Sequence, residues 1–187
     1  MLLPKCHLLE LLPAICLVAS LSACSRNPVT SMVRGHDMQV DQGVRALRAA
    51  TLPFQTIDSA AAVGYTRQVQ DCLVHEHHGA MGYHHTNPRL MDAKVEIDKP
   101  EILLYERLPN GDYRLNGVEF IVPFRAWPRD SIAPQVMGQT MHREDNLNFW
   151  YLHVWSWKQN PDGLFANFHP AVQCPATARK VFKPSGI

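Results

Sequence analysis

The sequence predicts an α+β fold, in which one N-terminal helix precedes a small antiparallel β-sheet or partly open barrel closed by one disulfide. Apolar residues recur at helical spacing in residues 56–72. A β-hairpin pattern occupies residues 101–125, and an aromatic, β-branched strand pattern occupies residues 148–157. Because the helical pattern precedes the strand patterns along the chain, an α+β arrangement is favoured over alternating βαβ units.

The first 23 residues have the composition of a signal peptide. Lys5 precedes an apolar stretch, residues 8–23, which is shorter than the roughly 20 residues that span a bilayer. Residues 21–24, Leu-Ser-Ala-Cys, resemble a lipobox, which implies cleavage before Cys24 and lipidation of that cysteine. The alternative is an ordinary signal peptide with an incidental cysteine. We expect a lipid anchor in the cell envelope. The resemblance to Gram-negative lipoproteins, in which Asp after the cysteine favours the inner membrane, implies that Ser25 directs the protein to the outer membrane, facing the periplasm.

The rest of the chain is interpreted as two parts. Residues 24–55 are polar and interrupted by Asn27-Pro28 and Arg34-Gly35, so they are expected to form a tether. Residues 56–187 are expected to form a single α+β domain. The formal net charge of +1 argues against a nucleic-acid partner, which usually requires a clustered basic surface.

Turn and strand signals divide the domain further. Residues 73–91 contain five histidines and two glycines and are expected to form a loop or short strand. The hairpin has strands at 101–108 and 113–124, joined by a turn containing Asn110-Gly111. The turn-rich segment 127–148 is expected to include one helical turn at 135–141.

Strand alternation assigns side chains to faces of the sheet. In the return strand, Val118 and Phe120 are expected on one face, and Leu115 and Glu119 on the other. In the last strand, His153 is expected to point opposite to its neighbours Leu152 and Val154. Both faces of both strands are apolar, so Glu119 and His153 are expected to be buried, where a carboxylate needs a partner or a metal.

Two cysteines remain after the leader and the lipidated Cys24 are set aside. Cys72 and Cys174 are expected to pair in an oxidising compartment. The alternative is a pair of thiolate metal ligands, which the absence of zinc-type spacing disfavours.

A transition-metal site is predicted where His84, Glu119, His142 and His153 converge. Imidazoles and a carboxylate from separate strands are a common ligand set for zinc or iron, whereas nearby methionines would suit copper. The methionines in question are Met81, Met91, Met137 and Met141. A competing metal patch is the polar run His75, His77 and His78.

Other interpretations stay open. Glu119 and His153 can equally form a hydrogen-bonded core pair without metal. The protein would then be a metal-free binding module, whose aromatic face holds an apolar ligand or a protein partner through Trp150, Trp155, Trp157 and Phe165. A third interpretation is a metal-dependent enzyme with an open coordination position at the same site. The sequence does not decide between enzyme and binding protein.

Several short motifs occur in order along the domain. They are MGYHHTNP (81–88), EILLYE (101–106), GVEFIVP (117–123), and LHVW (152–155) followed by NPDGLFA (160–166) and a final stretch to Cys174. Together these motifs resemble those of a family of small secreted bacterial proteins of unknown function. The sequence departs from the family pattern in its additional histidines at 75, 77 and 78, and in His169, where the pattern has Asn before Pro170. The resemblance implies a secreted, disulfide-closed domain and carries no activity.

Overall fold

The computed structural model describes residues 28–181, and the side chains of residues 36–66 and 71–177 within that range. The predicted signal peptide and Cys24 lie outside the described residues. None of the helices that the structure describes is long and apolar enough to cross a membrane.

The architecture is a helix packed on a curled antiparallel sheet, a partly open barrel, as the sequence predicts. The α-helices are α1, Pro28–Thr51, and α2, Ile57–Ala62. The strands of the main sheet are β1 (Arg67–His75), β2 (Gly79–Thr86), β3 (Ile102–Arg107), β4 (Tyr113–Pro123), β7 (His142–Glu144), β8 (Phe149–Val154) and β9 (Arg179–Val181). A separate two-stranded ribbon pairs β5, Gln135–Val136, with β6, Gln139–Thr140.

The strand order is β7-β8-β4-β3-β2-β1-β9. Neighbouring strands are antiparallel except at one edge, where β9 runs parallel to β1. The predicted hairpin is confirmed as β3 and β4, and the predicted last strand as β8. Cys72 and Cys174 are bonded, with their Cα atoms 5.5 Å apart, so the predicted disulfide is confirmed.

Three expectations about local structure are corrected. The segment expected to be an irregular tether contains α1, because Leu47 is fully buried in the core and supplies tertiary packing that a polar sequence pattern does not reveal. The helix expected at 56–72 ends at Ala62, and residues from Arg67 onward form β1, because they pair with β2. The helical turn expected at 135–141 is replaced by the β5–β6 ribbon.

Helix α1 covers one face of the sheet. Gly43 allows the helix backbone to approach Met137 closely, since a Cβ at this position would lie 2.6 Å from the Met137 side chain. Near the end of the helix, Trp157 Nε1 donates a hydrogen bond to Thr51 Oγ1 at 2.9 Å. The core on this face includes Leu47 together with Val118, Phe120, Val122, Leu152 and Val154.

The predicted alternation holds for most of β4 and β8, with one exception. Leu115 lies in the helix-side core with Val118 and Phe120, not opposite them. The pairing of β3 with β4 shifts by one residue at Leu104, which leaves Asn116 as an extra residue in β4. Across a one-residue bulge, side chains point to the opposite face of the sheet from the one that simple alternation assigns to them.

Candidate metal centre

Three of the predicted ligands converge on the sheet face opposite α1. His84 comes from β2, Glu119 from β4 and His153 from β8. Glu119 and His153 are direct cross-strand partners, and His84 reaches them across β3. One potential ligand atom from each lies within 4.8 Å of the other two, and all three residues are buried.

The distances suit a small metal ion. His84 Nε2 lies 3.5 Å from Glu119 Oε2, and His153 Nε2 lies 3.8 Å from Glu119 Oε1. Ligand atoms bound tetrahedrally at zinc-type distances are about 3.3 Å apart. The two imidazole rings meet edge to face, with centroids 6.0 Å apart. The ligand atoms lie within 4.8 Å of one another, so side-chain shifts of up to about 1 Å would bring the two imidazoles and the carboxylate onto one ion.

Burial determines the protonation of these groups in the absence of a cation. It lowers the pKa of His84 to about 4, with a backbone hydrogen bond to Gly82 opposing the shift. Burial, reinforced by the nearby His84, lowers the pKa of His153 to about 3. Burial, reinforced by the charge of Glu101, raises the pKa of Glu119 to about 8.

The short contacts between the imidazoles and Glu119 are therefore not ion pairs near neutral pH. Both histidines are neutral, which is the form that binds metal. Glu119 lacks a protonated partner and holds its own proton in preference to a buried negative charge. A divalent cation would reverse that preference and displace the proton.

His153 differs from a histidine that serves only to hold a fold together. It is 1% exposed. Asn167 interacts with it and opposes the effect of burial on its pKa, but within the described side chains neither ring nitrogen makes a hydrogen bond of normal geometry. His169 is comparably buried at 2%, yet its Nε2 donates to the carbonyl of Gln159 at 2.9 Å and its Nδ1 accepts from the Ala171 N–H at 3.0 Å. Since buried polar atoms are normally paired, His153 has unused bonding capacity.

A cavity of about 510 Å³ adjoins the group. His84 and Glu119 form part of its lining, whereas His153 lies beyond it and is enclosed. The rest of the wall is largely apolar and includes Met81, Met91, Ile102, Ile121, Phe149 and Tyr151. A metal held by the three residues would thus be reachable from this cavity.

His142, the fourth predicted ligand, does not join the group. It lies on β7 at the exposed edge of the sheet, opposite Tyr151 in the β7–β8 pairing. The Tyr151 ring stands between the two histidines, 5.5 Å from the ring of His142 and 5.7 Å from that of His153. The sequence predicted no strand at residues 142–144. It therefore did not reveal that His142 pairs with Tyr151, two residues along β8 from His153.

The other predicted ligand sources are also located. Met81 and Met91 line the cavity, but Met137 and Met141 belong to the core on the α1 side, so they cannot reach the group. His75, His77 and His78 lie at the turn between β1 and β2, where the rings of His75 and His78 are 4.5 Å apart. Within the described residues, His84, Glu119 and His153 form the only cluster of three or more such ligands.

The aromatic residues proposed for a metal-free binding face are used for packing. Trp150 and Trp155 are buried, and their Nε1 atoms donate to the carbonyls of Trp127 and Ala166. Trp157 and Phe165 are half-buried against the helix-side core. The alternative interpretation assigned these four residues to an apolar ligand or a protein partner, whereas the structure uses Trp150 and Trp155 for packing inside the domain. The residues it missed are those of the cavity wall, among them Ile102 from β3, Ile121 from β4 and Phe149 from β8.

Comparison of the chain with family models, with curated proteins and with solved structures found no match.

Proposed function

We propose that the protein is a cell-envelope lipoprotein whose domain holds one transition-metal ion between His84, Glu119 and His153. The observation that carries the proposal is the burial of two imidazoles and one carboxyl group together, with no lysine or arginine among the described side chains forming an ion pair with Glu119. Fold stability alone would favour an apolar or fully hydrogen-bonded arrangement there.

The donor set favours zinc or ferrous iron over copper. Two imidazoles and one carboxylate make up the catalytic zinc set and also the facial triad of non-haem iron. Copper would be favoured by thioether ligands. Met81 and Met91 line the neighbouring cavity but are not members of the ligand group.

Elemental analysis of the purified, untagged protein tests the metal assignment. We expect about one zinc or iron per chain, lost in His84→Gln and in Glu119→Gln. The matched control is His85→Gln, because His85 is the next residue of β2, is also buried, and packs against Tyr105 on the opposite face. Metal retained by His84→Gln, or lost equally in both histidine variants, would contradict the proposal.

The competing patch at the β1–β2 turn needs its own control. A variant carrying both His77→Ala and His78→Ala removes two exposed imidazoles without disturbing the core. We expect it to keep its metal. Loss of metal in this variant alone would move the site to the turn.

The membrane attachment is supported by the residues Leu21-Ser22-Ala23-Cys24. A lipid on Cys24 would place the domain at the envelope surface, with Ser25 favouring the outer membrane. Mass spectrometry of the native protein is expected to find an N-terminal diacylglyceryl cysteine at Cys24. A mature chain that begins at another residue, or with an unmodified cysteine, would overturn this part of the proposal without affecting the metal assignment.

A further inference from the structure

We propose that the cavity beside His84 and Glu119 binds a small molecule with an apolar body and one anionic oxygen donor, which completes the coordination of the metal. This inference rests on the metal assignment made above and goes beyond it by naming the class of ligand and its direction of approach.

The open coordination positions must face the cavity. Three protein ligands leave at least one position of a zinc or iron ion free. His153 is enclosed at 1% exposure, whereas His84 and Glu119 form part of the cavity lining. A fourth ligand therefore reaches the ion from the cavity.

The charge balance indicates an anionic donor. A divalent ion with one carboxylate and two neutral imidazoles carries a net charge of +1. The other two charged side chains of the wall, Arg125 and Glu144, have opposite signs, so they add no net charge. Arg125 donates to the carbonyl of Met91 at 3.1 Å, and Glu144 Oε1 accepts from the Asn146 N–H at 3.0 Å, which holds both in place. One anionic oxygen on the ligand would neutralise the centre.

The walls indicate an apolar body. The cavity volume of about 510 Å³ is within the range of small-molecule sites. Its surface beyond the metal group is formed mainly by Met81, Met91, Ile102, Ile121, Phe149 and Leu147. A ligand that filled it would remove this apolar surface from water, which favours binding in proportion to the area covered.

Cobalt(II) substitution provides a direct test. The d–d absorption bands of cobalt appear when the protein binds the metal. A change in these bands during a titration shows that a fourth ligand has coordinated the cobalt. We would titrate the cobalt-loaded protein with acetohydroxamate and with hexanohydroxamate, which share one anionic chelating group and differ in apolar length. Each buried methylene strengthens binding by about fourfold, so hexanohydroxamate is expected to bind at least tenfold more tightly.

A pair of surface variants locates the apolar contact. Leu147 lines the cavity and is 47% exposed, whereas Ile132 is 89% exposed and is not part of the lining. Leu147→Ser is expected to weaken hexanohydroxamate binding about fivefold and to leave acetohydroxamate binding nearly unchanged. Ile132→Ser is the matched control and is expected to change neither.

The outcomes separate the two proposals. A protein that takes up no cobalt overturns the metal assignment and, with it, this inference. A cobalt spectrum that neither hydroxamate alters overturns the inference while leaving the metal assignment intact. Equal affinity for the two hydroxamates, or equal effects of the Leu147 and Ile132 variants, excludes an apolar ligand in this cavity.

Discussion

Two buried glutamates in the same sheet have opposite electrostatic surroundings. The side chains of Glu119 and Glu106 are both 7% exposed. Glu106 accepts a hydrogen bond from Arg114 Nε at 2.8 Å, and Lys158 Nζ lies 3.0 Å from each of its oxygens. Among the described side chains, the titratable neighbours that lie within 4 Å of the Glu119 carboxyl group are two neutral imidazoles.

Although Glu106 and Glu119 are equally buried, the pKa of the first is lowered and that of the second is raised. At Glu106 burial raises the pKa, but hydrogen bonds from Lys158 and Arg114 outweigh it, so the pKa falls below its usual value. At Glu119 burial acts without such opposition and the pKa rises to about 8. The fold supplies two cationic side chains to Glu106, whereas at Glu119 the proposed metal ion would supply the positive charge.

The largest expected effect is stabilisation of the protein by metal. A ligand that binds only the folded state at about 1,000 times its dissociation constant adds about 4 kcal/mol to the free energy of unfolding. Denaturant unfolding with and without zinc should show an increase of this order for the wild-type protein and for Glu106→Gln. Glu119→Gln should lose it. An equal gain in the wild type and in Glu119→Gln would remove the distinction between the two glutamates.

The second prediction concerns the metal-free protein near neutral pH. Glu106→Gln should lower the free energy of unfolding by about 2–3 kcal/mol, because charged hydrogen bonds are lost and the half-buried Lys158 is left without its partner. Glu119→Gln should change it by less than about 1 kcal/mol, because a neutral amide replaces a group that is mostly a neutral acid. Denaturant unfolding of both variants measures the difference, and the reverse order would contradict the account.

A third prediction follows from the pKa of Glu106. Its folded-state pKa lies below the unfolded value, so its contribution is complete above the unfolded value of about 4.5 and is lost as the pH falls through the folded one. Between about pH 6 and about pH 3, the metal-free wild type should lose more stability than Glu106→Gln. Parallel losses in the two proteins would show that Glu106 is not stabilised as a carboxylate.

The smallest expected effect is at Arg114, whose side chain is 53% exposed. Arg114→Ala should cost no more than about 1 kcal/mol, because exposed ion pairs contribute little and Lys158 still contacts both oxygens of Glu106. Chemical denaturation measures this cost. A loss comparable to that of Glu106→Gln would mean that Arg114, rather than Lys158, satisfies the carboxylate.

The sequence predicted the parts of the molecule that depend on local signals. The Asn110-Gly111 turn signal correctly predicted the position of the β3–β4 hairpin. Strand alternation correctly predicted that Glu119 and His153 lie on the same face of the sheet. Burial of both followed from the apolar residues around them. Setting aside the cysteines of the predicted leader and Cys24 left Cys72 and Cys174, which the structure shows to be bonded.

The features that the sequence did not predict depend on tertiary contacts. Helix α1 contains Gly35 and Gly43, and what orders it is the docking of Leu47 and the close approach at Gly43. Strand β1 has apolar residues at helical spacing, but pairing with β2 decides its conformation. The bulge at Asn116 and the position of His142 follow from strand register, which no local pattern encodes.

Anomalous diffraction from crystals of the zinc-loaded protein tests the central claim most directly. The account predicts one strong peak about 2.0–2.1 Å from the Nε2 atoms of His84 and His153 and at a similar distance from a carboxylate oxygen of Glu119. Glu106 should remain bonded to Arg114 and Lys158 with no metal near it. A peak only at His75, His77 and His78, or none at Glu119 in the presence of saturating zinc, would contradict it.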